Sequence, residues 1–183
     1  GCPWDAAQTH ASLAPYLLEE AYEAYQAIED GDLDALRDEL GDVLLQVLFH
    51  ARVAEELPAG QRWSVDDVAA GLDDKLVRRH PHVFADVEVA DADAIVGNWE
   101  AIKAAERGDE AALSNVPLAA PALTLAATLQ RKAAREGVAS GALDLDAAVA
   151  AYSAGRSERS AGELLWALVA SIREAGLDPE VEI

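Results

Sequence analysis

The chain has one cysteine, Cys2, and no methionine among its 183 residues. A lone thiol forms no intrachain disulfide, so packing must hold the fold and a reducing, cytoplasmic compartment is expected. A start at Gly1 without any Met leads us to expect that residues upstream are missing. Basic residues are also scarce: 14 Lys and Arg stand against 34 Asp and Glu, a formal net charge of −20. That balance excludes duplex DNA, RNA or an anionic membrane as a main partner, since each needs a basic footprint. It leaves open a small anionic ligand that arrives with its own metal. No apolar run approaches the roughly 18 residues of a membrane span, and nothing resembles a signal peptide. Aromatics make up only 5%, and no stretch alternates apolar and polar residues with β-branched enrichment. With 51% hydrophobic residues, chiefly Ala and Leu, the natural class is all-α, helices packed through small side chains.

Against these absences, the acids stand out by position. Over Ser12 to Glu29, at about 100° per residue, Tyr16, Ala27, Leu13, Ala24, Leu17, Ile28 and Ala21 share one apolar arc. Glu20 projects inside that arc and Glu23 lies at its edge beside Tyr16. The next segment, Asp34 to Glu55, is apolar nearly all round. Yet Glu39, Asp42, Gln46 and His50 recur on it at spacings of three and four. This polar line is expected to be buried with the helix or to line a cleft. Gly31 and Asp32 supply a helix stop and an N-cap, and so short a connection folds into an antiparallel hairpin. Glu20 and Glu23 can then face Glu39 and Asp42. Two like charges about 4 Å apart repel by roughly 4 kcal/mol at an effective dielectric near 20, so such a group takes up protons or binds a cation. Oxygen donors without Cys, and without His in either pair, select Mg²⁺ or Mn²⁺ over Zn²⁺ or Fe²⁺. A di-iron bundle needs Glu-x-x-His pairs, which the chain lacks. The competing reading is a solvated acidic face.

Further helices are expected from Ser64 to Arg79, Ala92 to Arg107, Ala122 to Glu136, Leu145 to Ala154 and Ala161 to Ala175, with a break at His80-Pro81. Gly108 to Pro121 reads as a linker. The resulting division is residues 1–107, a linker at 108–121, and residues 122–183. Gly41-Asp42-Val43-Leu44-Leu45 and Gly162-Glu163-Leu164-Leu165-Trp166 match at an offset of 121, and Arg52 then matches Arg173. In such a repeat Ser160 stands where Glu39 stands, so the second copy has lost its acids and kept a packing role. Lys75, Arg78, Arg79, Lys103 and Arg107 cluster after the acidic hairpin. Lys75 with Arg79, and Trp99 with Lys103, share helix faces, which suits phosphate clamping beside an aromatic for a base. Ordinary surface charge around a core Trp is the alternative.

Several segments together resemble the MazG family of nucleoside triphosphate pyrophosphohydrolases. They are Cys2-Pro3-Trp4-Asp5, Gln8-Thr9-His10, Leu17-Leu18-Glu19-Glu20-Ala21-Tyr22-Glu23, Glu39-Leu40-Gly41-Asp42, Asp74-Lys75-Leu76 and Arg78-Arg79-His80-Pro81-His82-Val83-Phe84. The resemblance covers about residues 1 to 107. It implies an all-α, Mg²⁺-dependent enzyme, with Mn²⁺ able to substitute, that hydrolyses NTPs and dNTPs to the monophosphate and pyrophosphate in nucleotide-pool house-cleaning. By motif position, Glu20, Glu23, Glu39 and Asp42 would be metal ligands and Glu19 would assist the water. Lys75, Arg79, Trp99 and Lys103 match phosphate and nucleotide contacts, and a homodimer or higher homo-oligomer is expected. The rivals are a dUTP or phosphoribosyl-ATP pyrophosphohydrolase and a non-catalytic regulatory or dimerisation module.

Overall fold

The computed structural model describes residues 1–85, 87, 91–107, 116–135, 137 and 144–181. These form helices α1 (Pro3–Ala6), α2 (His10–Asp30), α3 (Leu33–Glu55), α4 (Val65–Arg79), α5 (Pro81–Phe84), α6 (Ala92–Arg107), α7 (Ala122–Arg135), α8 (Leu145–Ala154) and α9 (Glu158–Glu174). Among the described residues there is no strand, and the protein is all-α. No described helix is long and apolar enough to cross a membrane. Of the expected linker, residues 108–115 lie outside the described residues.

Local chemistry sets the helix ends. Thr9 accepts from the Ser12 amide while Ser12 Oγ accepts from the Thr9 amide, so α2 begins two residues before the apolar pattern does. Gly31 closes α2 in the left-handed region at φ 68°, a conformation that favours glycine. Asp32 then accepts from the amides of Asp34 and Ala35 and starts α3. The short α1 and α5 were not anticipated. Each is a single turn with Pro at its start, too brief to show periodicity.

The chain forms two compact units, Gly1–Glu106 and Arg107–Ile183. In the first, α2 packs on α3 through Leu13, Ala24, Ala27, Gln46, Ala51 and Ala54, all buried. Small side chains let the two backbones approach closely. The larger apolar groups point elsewhere. Leu17, Leu18, Tyr22 and Ile28 of α2, with Leu40, Leu44, Leu45 and Leu48 of α3, are 37% to 61% exposed. This corrects the expectation of a fully buried α3, because one partner helix covers one face only. The polar line follows that packed face unevenly: Gln46 is buried, Glu39 and His50 half-buried and Asp42 exposed. Trp4 sets α1 against the hairpin, edge-on to Tyr16 and Phe49.

In the second unit, α9 packs on α7 and α8. Fully buried Gln130 donates from Nε2 to the Trp166 carbonyl. The Glu180 carboxylate accepts from Thr124 N and Oγ1 at the start of α7. Ser160 is buried, accepts from the Ser157 amide and donates to the Gly155 carbonyl, so it closes the start of α9.

His10 and His50 stack with their Nδ1 atoms 2.8 Å apart, and Trp63 stacks on His10. Burial holds His50 below its ordinary value, and His10 lowers it further. A group that resists protonation when folded gains protons on unfolding, so its contribution is present above the unfolded pKa, about 6.5, and is lost as pH falls below it. Urea unfolding at pH 7.5 and 5.5 is expected to show a larger loss of stability in the wild type than in His50→Gln. Equal losses would remove the histidine pair as the cause.

Candidate functional site

The Thr9 cap and the Gly31-Asp32 turn fix the register in which α2 meets α3, and that register brings acids together. Ligand oxygens of Glu20, Glu23 and Glu39 lie within 4.8 Å of one another. Glu20 and Glu39 are half-buried, Glu23 exposed. Asp42 stands outside this closest trio, but its charge acts on both Glu20 and Glu39. Glu19 is exposed and its charge also reaches Glu20. Loss of water raises Glu20 above the usual carboxylate range, and Asp42, Glu23, Glu19 and Glu39 push it the same way. Glu39 is raised by loss of water, then by the charges of Glu23, Asp42 and Asp38 and by a hydrogen bond with Glu23. Acids that hold protons too tightly for their type are groups that would exchange them for a hard cation. The donor set of carboxylate oxygens on two helices fits such an ion.

A second cluster forms where α4 and α6 meet. The Arg79 guanidinium lies 5.4 Å from the centroid of the Trp99 ring, and His80 approaches that ring edge-on at 4.8 Å. The Glu106 carboxylate accepts from Arg79 Nε at 3.2 Å and Nη2 at 2.6 Å, and from Arg78 Nε at 2.5 Å. Hydrogen bonds from Arg79 and then Arg78 pull Glu106 down to about 2. Lys75 lies exposed one turn before Arg79, and Lys103 is half-buried one turn after Trp99. The structure thus joins Arg79 to Trp99. Arg79 takes its ion pair from Glu106 and not from the four hairpin acids. Glu106 and His80 were not singled out as site residues from the sequence. The available signal was spacing: Trp99, Lys103 and Glu106 fall at i, i+4 and i+7, on one helix face.

An all-α chain with an acidic centre on a helical hairpin and an arginine–tryptophan cluster in the same unit is the class that fold and site define. A MazG nucleotide pyrophosphohydrolase domain matches residues 8–84, which include all four hairpin acids, Lys75 and Arg79 but not Trp99, Lys103 or Glu106. The nucleoside triphosphate pyrophosphohydrolase of Escherichia coli strain K12 is 38% identical over the whole chain, which covers 75% of that protein. The Thermotoga maritima protein named nucleoside triphosphate pyrophosphohydrolase/pyrophosphatase MazG is 44% identical over 75% of the chain and 52% of its own length. The Bacillus subtilis protein YabN is 50% identical over 72% of the chain, which spans only 27% of it. The chain belongs to the MazG nucleotide pyrophosphohydrolase family.

If the trio repels without a cation, removing one charge must relieve it. In metal-free buffer at pH 7.5, Glu39→Gln is expected to melt at a higher temperature than the wild type. A lower melting temperature would show that Glu39 is stabilised by its neighbours and would contradict the repulsion.

Proposed function

We propose that the chain hydrolyses nucleoside and deoxynucleoside triphosphates to the monophosphate and pyrophosphate. The observation that carries this reading is the convergence of Glu20, Glu23 and Glu39 oxygens across the hairpin of a MazG-family chain. Those three, with Asp42, would hold Mg²⁺, for which Mn²⁺ could stand in. The bound ion would neutralise phosphate charge and polarise the bond to be broken. Glu19, exposed beside Glu20, would orient the water and accept its proton. Water's oxygen joins phosphorus, the bond between the α- and β-phosphates breaks, and pyrophosphate leaves. Lys75, Arg79 and Lys103 would bind the phosphates, with Trp99 stiffening the nucleotide end of the site. The cellular setting of such clearance of nucleotides is the cytoplasm.

Residues 1–107 would carry this activity, 108–121 would join the halves, and 122–183 would be a helical repeat without catalytic acids. Two contacts support the last assignment: Ser160 completes the capping box of Ser157 at the start of α9, and Glu163 is engaged by Arg159 at 2.8 Å. A homodimer completes the reading. Contiguous exposed apolar surface marks an interaction face, and Leu40, Leu44 and Leu48 run down α3 beside the acids, 43% to 56% exposed. Gly41 lies mid-helix in the same stretch, and a Cβ there would meet nothing within 4 Å. Nothing described in this chain requires glycine at that point, whereas a closely approaching second copy would.

Pyrophosphate release from the eight common NTPs and dNTPs, with and without Mg²⁺, tests the activity. Glu39→Gln and Asp42→Asn are each expected to cut the Mg²⁺-dependent rate by about 100-fold or more, since even the loss of an outer-shell partner of a ligand costs about 10- to 100-fold, with helicity retained. Near wild-type turnover in both would rule out this metal centre. Mg²⁺ at 100 times its dissociation constant should stabilise the fold by roughly 2.7 kcal/mol at fixed ionic strength, an effect those variants should lose. For the dimer, Leu44→Asp with Leu48→Asp should halve the mass measured by light scattering. An unchanged mass would move the interface off α3.

A further inference from the structure

We propose that Glu106 is a positioning residue for substrate binding: its carboxylate anchors Arg78 and Arg79 by their inner edges and leaves their outer N–H groups to receive phosphate. The inference rests on the reading above that Arg79 meets the substrate.

The geometry separates anchoring from binding. A guanidinium offers five N–H donors. Glu106 takes Nε and one N–H of Nη2 from Arg79, and only Nε from Arg78. Three donors therefore remain on Arg79 and four on Arg78. Neither arginine has another ion pair among the described residues. The Trp99 ring lies against the Arg79 guanidinium at 5.4 Å, and the edge-on contact of His80 steadies that ring. Arg79 is held by its Nε edge and against Trp99, with its side chain 18% exposed, and Arg78 at 53% reaches further into solvent.

Three physical reasons favour a positioning role over simple stabilisation. Two neighbouring guanidinium groups repel, and a single carboxylate bridging both is what lets them sit together. A long side chain fixed in advance loses less freedom when the ligand arrives. An ion pair between partly exposed groups adds little to stability, so two arginines gathered on one glutamate are poorly explained by stability alone. The carboxylate, held at about 2, stays ionised at every pH at which the enzyme would work. Glu106→Gln therefore removes a charge that is really present while keeping the shape.

The experiment uses the full chain with Mg²⁺ and whichever of the eight common NTPs and dNTPs is turned over best. Glu106→Gln is expected to raise KM about tenfold with kcat within about twofold, because the loss falls equally on bound substrate and transition state. Glu106→Asp, which keeps the charge on a shorter arm, should recover part of it. The double variant Arg79→Gln/Glu106→Gln should lose less relative to Arg79→Gln than Glu106→Gln loses relative to the wild type, since part of the effect of Glu106 runs through Arg79 and the rest through Arg78. The dissociation constant of α,β-methylene-ATP should rise in step with KM, and circular dichroism checks that each variant folds. A fall in kcat at unchanged KM overturns the proposal. If Arg79→Gln raises KM and neither Glu106 variant does, the positioning role is wrong while the substrate assignment stands. If Arg79→Gln also leaves KM alone, both are wrong. Should no nucleotide be hydrolysed, the enzymatic reading fails and the analogue titration alone decides the role of Glu106.

Discussion

Close approach of α2 and α3 is the constraint on which the first unit depends. Ala24, Ala27, Ala51 and Ala54 fill the seam, and side chains this small let two helices run close together while opposed carboxylates come within 4.8 Å. The same closeness makes the arrangement costly. Glu20 and Glu39 lose water and face like charges, and their affinity for protons rises. Packing thus places within the seam, between the buried alanines near the turn and those near the open end, a group of acids that packing does not satisfy. A cation would satisfy it by supplying positive charge where the fold has concentrated oxygen donors.

Alanine at the seam has a second consequence. Apart from Leu13, the large apolar residues Leu17, Leu18, Tyr22, Ile28, Leu40, Leu44, Leu45 and Leu48 are left pointing away from the seam and open. A two-helix hairpin is half of a four-helix bundle, and its outer faces bury only when a second pair of helices closes over them. The acidic seam and the apolar outer face are therefore two results of one choice of small residues.

What could be read from residues alone was whatever depends on local order. The Gly31-Asp32 turn, the spacing of Glu20 with Glu23 and Glu39 with Asp42, and the span of α6 are set within a turn or two of chain, and they were readable. The start of α2 was placed two residues late because the Thr9–Ser12 cap lies outside the apolar pattern. The exposure of Leu44 and Leu48 was misjudged for a different reason. Hydrophobic pattern states that a face seeks cover, not whether the cover lies in the same chain. Glu106 escaped notice because its meaning comes from Arg78 and Arg79, 28 and 27 residues earlier, and nothing local announces a contact at that distance.

Three carboxylates of the first unit are pushed in opposed directions, and the opposition separates their roles. Glu20 and Glu39 bind protons more tightly than free glutamate, first because they lose water and then because acids surround them. Glu106 binds its proton far less tightly, surrounded by arginines. When neighbours push the same type of group in opposite directions, each environment selects a different job. An acid that resists ionisation has an unmet need for positive charge and is available to an incoming cation. An acid already held by two guanidinium groups has no such need, and binding a metal there would first require breaking three hydrogen bonds. Glu106 is therefore not a further candidate for the cation that the hairpin acids would take. Its charge is spent on arginines, and the arginines are what a phosphate chain would meet.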